Sequence, residues 1–280
     1  MQKIVDFIFG MVIGVANIIP GVSGGTMMVM LNLYDRIIEA VANWRKDFKG
    51  AVIFLTPVLL GAVSGVLIFS KLIKYCLEYF PIATNLFFMG LILGSIPMIA
   101  KNAVSKGFNK SALIPFLVTF ALMFALNFMS PDKTGEALTV LTTPVFIRLL
   151  LLTAVAAIAM IIPGLSGSFV MILLGTYPTF IAALSSFNIP MMVPIGLGVI
   201  LGIIGGAKLI HILLNKWHQW TYFAILGFVF GSLMTIFPGF SFNLEGFAGI
   251  ALFVIGVGIA LWFGSEKLQE KIQAKKEQAS

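Results

Sequence analysis

Two short runs hold the residues whose types and spacing could do chemistry. Residues 16–25 read Ala-Asn-Ile-Ile-Pro-Gly-Val-Ser-Gly-Gly, and residues 159–168 read Ala-Met-Ile-Ile-Pro-Gly-Leu-Ser-Gly-Ser. Each sets a Pro-Gly turn inside an apolar stretch and follows it with Ser. Pro20 and Pro163 remove a backbone donor, and Gly21 and Gly164 permit a tight bend. Ser23 and Ser166 stand where an N-cap stands, just before an outgoing helix. The N–H groups that open that helix, from Gly24 and Gly167 onward, lack intrahelical partners and carry the positive end of its dipole. Gly25 lets a ligand approach the backbone. With no acidic residue nearby, this is anion-binding chemistry. Thr26 and Ser168 add hydroxyls. Asn17 adds an amide where its counterpart is Met160, so the two sites differ. The plainer alternative is a hairpin turn whose Ser merely caps its own helix.

Four basic residues join the candidate substrate site. Arg36 follows the first run, and Arg148 precedes the second by about 15 residues. Each could collect a phosphate, or could anchor at the interface with its stem snorkelling. Lys71 and Lys208 occupy matching positions, and Lys208 precedes the apolar run Leu209–Leu214, which places an ionisable group at membrane depth. No acid, base and nucleophile stand together at a recognisable spacing, so catalysis is not expected. Asp6, Asp35 and Glu39 are weak candidates for a coupling-ion site. His211 and His218 lack metal-ligand partners, and Cys76 is alone; no metal or other cofactor is expected.

The elements around these runs belong to a membrane. Of the 280 residues, 59% are hydrophobic and 10% charged, against about 25% charged in a soluble domain. The net charge of +7 is read as a topology signal and contact with anionic lipid, not as nucleic-acid binding. The N-terminus has no small-residue cleavage site and is read as mature chain.

The two runs also begin two copies of one unit. At an offset of 143, Met28 meets Met171, Leu31 meets Leu174 and Tyr34 meets Tyr177. At an offset of 137, Pro57 meets Pro194, Lys71-Leu72-Ile73 meets Lys208-Leu209-Ile210, and Gly90, Gly94 and Ser95 meet Gly227, Gly231 and Ser232. Apolar stretches of span length lie at about 51–73, 83–100 and 112–129, then at about 191–213, 221–238 and 246–264. The arms of the first motif are short for a full crossing, so 3–35 and 145–187 read as re-entrant hairpins, the second with a longer first arm. The expected fold is an all-α polytopic membrane protein. Repeat 1 (1–135) and repeat 2 (136–264) each hold one hairpin and three transmembrane helices, and a polar tail follows at 265–280. Three spans is an odd number, so the second copy enters inverted. With both termini in the cytoplasm, only Lys71, Lys74, Lys133 and Arg148 face outward, and the other 14 of 18 basic residues face inward. Reading each arm as a full span preserves the inversion. Pairs such as Gly61/Gly65 and Gly198/Gly202 suit close span packing, and glycine-rich faces could support a homodimer.

The Asn-Ile-Ile-Pro-Gly-Val-Ser-Gly-Gly-Thr run at 17–26, the Tyr34-Asp35-Arg36 after it and the Ile-Ile-Pro-Gly-Leu-Ser-Gly-Ser run at 161–168 resemble a bacterial membrane family associated with polyprenyl-phosphate translocases (PopT). The resemblance covers essentially the whole chain. It implies a transporter of the bacterial cytoplasmic membrane that recycles undecaprenyl phosphate from the outer to the inner leaflet for envelope synthesis. It also implies substrate contact at Pro20–Thr26 and Pro163–Ser168. The residues alone leave open a transporter or channel for a small soluble anion, and a membrane enzyme or assembly scaffold.

Overall fold

The computed structural model describes residues 2–19, 21–128 and 137–265. These residues form twelve α-helices and one short 3-10 helix, Lys110–Ala112, and no strand occurs among them. The first half holds α1 (Gln2–Ile18), α2 (Gly24–Met30), α3 (Tyr34–Ala42), α4 (Phe48–Tyr79), α5 (Pro81–Val104) and α6 (Leu113–Phe128). The second holds α7 (Thr143–Ile161), α8 (Gly167–Leu173), α9 (Tyr177–Ser185), α10 (Ile189–Lys216), α11 (His218–Ile236) and α12 (Leu244–Phe263). Local chemistry sets many of the starts. Asp47, Asn188 and Asn243 cap α4, α10 and α12 through side-chain oxygens, and proline opens α5, α7, α9 and α10.

The two halves repeat in detail. Shifted by 143, α2 and α3 land on α8 and α9 to the residue; shifted by 137, the end of α4 and the start of α5 land on the end of α10 and the start of α11. The turns repeat too. Gly21 and Gly164 both have positive φ, at 83° and 87°, and so do Asn32 and Gly175, at 55° and 65°.

Seven helices among the described residues are long and apolar enough to cross a membrane, which makes this a multi-pass membrane protein. Six of them lie over the six apolar stretches. The seventh is α7, whose 19 residues fall on the first arm of the 145–187 segment. Helix α7 ends at Ile161, the repeat counterpart of Ile18 at the end of α1. The chain then bends by 115° between α8 and α9. Lys133 and most of the polar tail, 266–280, lie outside the described residues.

Packing joins the halves. Helix α1 lies on α4 and α7 on α10, while α5 pairs with α12, α6 with α11, and α5 meets α11. Glycines carry several of these contacts: Gly10 and Gly14 lie against the α4 backbone, Gly198 and Gly202 against that of α7. The symmetry breaks at the short helices. Helix α3 packs on α10 in the other half, whereas its counterpart α9 makes no comparable contact with α4. In α2 every residue but Met28 is buried; in α8 only Gly167 is.

Candidate functional site

The two Pro-Gly-x-Ser-Gly motifs meet. Ser23 has extended backbone and caps α2, its Oγ accepting from the Gly25 N–H at 3.2 Å. The same hydroxyl donates to the Ile162 carbonyl at 3.4 Å, and the Gly164 N–H donates to Thr26 Oγ1 at 2.9 Å. A side chain on Gly25 would lie 2.8 Å from the Ile161 carbonyl oxygen, so glycine allows the crossing. Gly164 combines positive φ with a Cβ position 2.5 Å from the Phe228 carbonyl carbon. Thr26 is fully buried, and its oxygen is engaged by the opposite motif. Pro20 lies outside the described residues.

The second motif differs. Ser166 has the N-cap backbone, φ −101° and ψ 127°, yet makes no capping hydrogen bond. Its Oγ shares a hydrogen bond with Ser168 Oγ at 2.8 Å. The cause lies in the sequence, because Ser168 supplies a hydroxyl where the first motif has Gly25. Both serines are half-buried, whereas Ser23 is buried. One motif is thus packed into the core and the other keeps its hydroxyls within reach.

An apolar cavity of about 330 Å³ leads to the first motif. Asn17 and Gly24 form its polar end, and its walls include Ile38 and Val58. Leu59 and Ala62 of α4 and Ile203 and Ala207 of α10 also line it. Leu59 is 61% exposed, so the cavity wall reaches the outer surface of α4. The Asn17 side chain lies against Gly24, its Nδ2 donating to the Ile13 carbonyl at 3.1 Å.

The basic residues are dispersed. The Arg36 guanidinium lies 3.7 Å from the Phe54 ring centroid and 3.8 Å from Asp6. Arg148 is exposed near the start of α7, about 20 Å along the helix from its motif at 1.5 Å per residue. Lys71 and Lys208 are exposed beside exposed Leu72 and Leu209, on the outer surfaces of α4 and α10 and away from the buried motif core.

A further cluster, not expected from the sequence, locks α3 to the other half. The Tyr222 hydroxyl donates to both Asp35 oxygens, at 2.9 and 2.7 Å. Asn43 and Asn215 both reach His211 Nε2, at 3.4 and 3.1 Å. His218 contacts the Asn102 carbonyl at 3.0 Å and packs on the Tyr222 ring. The only available signal was negative: the repeat counterparts of Asp35 and Tyr222 are Pro178 and Asn85, so this clasp exists on one side.

The chain is 32% identical over 273 residues to a polyprenyl-phosphate transporter of Staphylococcus aureus, covering 94% of this chain and 96% of that protein. It is 26% identical over 252 residues to a polyprenyl-phosphate transporter of Vibrio cholerae, covering 85% and 79% respectively. Both relatives are named as transporters and not as enzymes. No solved structure matches. Residues 13–245, which include both motifs, match the VCA0040-like family model, described as undecaprenyl phosphate translocase-like, and the chain belongs to that family.

Proposed function

We propose that this protein carries polyprenyl phosphate, in particular undecaprenyl phosphate, from the outer to the inner leaflet of the bacterial cytoplasmic membrane. The carrying observation is the apolar cavity that α4 and α10 line together, with exposed Leu59 in its wall and Asn17 and Gly24 in its lining. Its form suits an amphiphile whose prenyl chain stays in lipid while the phosphate meets polar groups. A bare phosphate in hydrocarbon is prohibitively costly. Headgroup contacts fall to Asn17, to Ser166 and Ser168, and to the backbone around Gly21, Gly24, Gly164 and Gly167. Helices α2 and α8 have only seven residues, so local N–H groups and hydroxyls matter more here than a long-helix dipole.

The two halves act as inverted repeats with both termini in the cytoplasm. Each opens with a re-entrant unit, α1–α2 or α7–α8. In this arrangement α3 closes the cytoplasmic side by docking on α10. Helix α9 leaves the outer side undocked, and Ser166 and Ser168 are half-buried there. Movement of α9 onto α4 with release of α3 would present the site inward, as alternating access requires. Arg148 gathers the headgroup outside and Arg36 receives it inside, while exposed Lys71 and Lys208 act as anchors at the lipid surface.

The test is leaflet exchange in reconstituted vesicles holding undecaprenyl phosphate, read with an impermeant phosphate-directed probe. Exchange that needs the protein and falls in the Ser166→Ala/Ser168→Ala variant is the expected result. Entry of soluble phosphate without lipid exchange would overturn the reading in favour of a small-anion transporter.

A further inference from the structure

Asp6 is the one buried charged side chain among the described residues, 2% exposed on α1. Gln2, one turn earlier, donates its amide to Asp6 Oδ1 at 2.7 Å, and Arg36 of α3 stands 3.8 Å from the same oxygen. The fold itself has no need of an acid at this place. The matching residue of the second repeat is Leu149, equally buried, and the residue matching Arg36 is Thr179. A buried carboxylate without a cation beside it is strongly disfavoured, so the ionised Asp6 depends on Arg36.

Arg36 is only partly committed to Asp6. Its side chain is 42% exposed, its guanidinium is held over Phe54, and it lines a polar pocket of about 340 Å³ with Glu39, Asn43 and Asp47. One guanidinium therefore separates a buried carboxylate from an open pocket. Arg36 from α3 forms an ion pair with Asp6, and Lys3, on α1 itself, is exposed. Helix α4 presents the Phe54 ring, α12 packs Phe263 on Phe9 one turn along, and Glu39 and Asp47 lie around the pocket onto which Arg36 opens.

We propose that Asp6 is a proton-binding site coupled to occupancy of Arg36 by a phosphate headgroup, an inference that rests on the polyprenyl-phosphate reading above. A phosphate arriving from the pocket draws Arg36 to itself. Asp6 loses its counter-charge and takes one proton from water, its carboxylate becoming the neutral acid. When the phosphate leaves, Arg36 returns, and Asp6 gives the same proton back. Asp6 thus competes with the headgroup for one cation, which loosens the phosphate where it must be discharged.

The experiment is calorimetric titration of the detergent-purified full chain with farnesyl phosphate, a short polyprenyl phosphate. It is run at about pH 8.5, well above the second pKa of a phosphate monoester. Two buffers of different ionisation enthalpy give the protons taken up per phosphate bound. The wild type should take up more protons per phosphate bound than Asp6→Asn or Asp6→Leu, and both variants should bind about fivefold tighter because the resident competitor is gone. Asp6→Leu copies the residue of the second repeat and keeps the test usable should Asp6→Asn fold poorly. Variants that bind with the wild-type proton count and affinity overturn the role of Asp6 and leave lipid transport standing. A wild type that binds no farnesyl phosphate removes the polyprenyl-phosphate reading, and the proton site with it.

Discussion

The Tyr222 hydroxyl donates to both carboxylate oxygens of Asp35, at 2.9 and 2.7 Å, across 187 residues of sequence. The bond ties α3 of the first half to α11 of the second, beside the contact of Asn43 with His211 on α10. Its repeat counterparts, Asn85 and Pro178, cannot form it, since proline has no side-chain acceptor. The clasp therefore has no equivalent between α9 and α5 in the repeat.

Tyr222→Phe keeps the ring and removes the donor. A hydrogen bond to a carboxylate contributes about 2 kcal/mol net, so the amides of α3 should exchange with solvent about thirtyfold faster. Hydrogen exchange of residues 34–42 gives the readout, with Asn85→Ala and the amides of α9 as control. Unchanged protection of α3 would show that packing on α10 alone holds it.

The motif crossing makes a separate demand on stability. Gly164→Ala forces positive φ on a residue with a Cβ and drives that Cβ into the α11 backbone at Phe228. The expected loss is about 3 kcal/mol, with strain and overlap acting together. Gly239 also has positive φ but has open space around its Cβ position, so Gly239→Ala should cost about 1 kcal/mol from strain alone. Thermal unfolding in detergent separates the two; equal losses would mean that the overlap at Phe228 relaxes freely.

Hydropathy exposed the spans, and Pro20-Gly21-Val22-Ser23 against Pro163-Gly164-Leu165-Ser166 exposed the repeat, because both are local properties. The helix α3 was not legible, since Tyr34–Ala42 mixes Asp35, Arg36 and Glu39 with apolar residues and falls below span length. The burial of Asp6 was equally hidden: a lone acid near a helix start looks solvated until α3 brings Arg36 to it. Ser166 shows how local patterns mislead. It has the place and backbone of a cap, but Ser168 nearby takes its hydroxyl. The contact of Thr26 with Gly164 joins residues 138 apart and depends on how the halves dock, which no single motif encodes.

That difference between the serines is measurable. Ser23 caps Gly25 and touches Ile162, so Ser23→Ala should lower stability by about 1 kcal/mol. Ser166 makes no cap, so Ser166→Ala should leave the unfolding temperature within about 1 °C while slowing leaflet exchange. Parallel unfolding and vesicle assays check the pair. A large stability loss in Ser166→Ala with exchange intact would make its role structural.

The exposed wall of the cavity provides the sharpest distinction between a lipid route and an aqueous one. Leu59 lines the cavity and is exposed, while its neighbour Leu60 is exposed to a similar degree but does not line it. Leu59→Trp adds bulk at the cavity wall, and Leu60→Trp adds the same bulk elsewhere on α4. Neither site is packed in the core, so both variants should unfold within about 0.5 kcal/mol of wild type. Exchange of undecaprenyl phosphate should fall about tenfold in Leu59→Trp, equivalent to about 1.4 kcal/mol on the barrier, and stay unchanged in Leu60→Trp. Equal exchange in the two variants would mean that the prenyl chain does not pass between α4 and α10, and that the headgroup reaches Asn17 by another path.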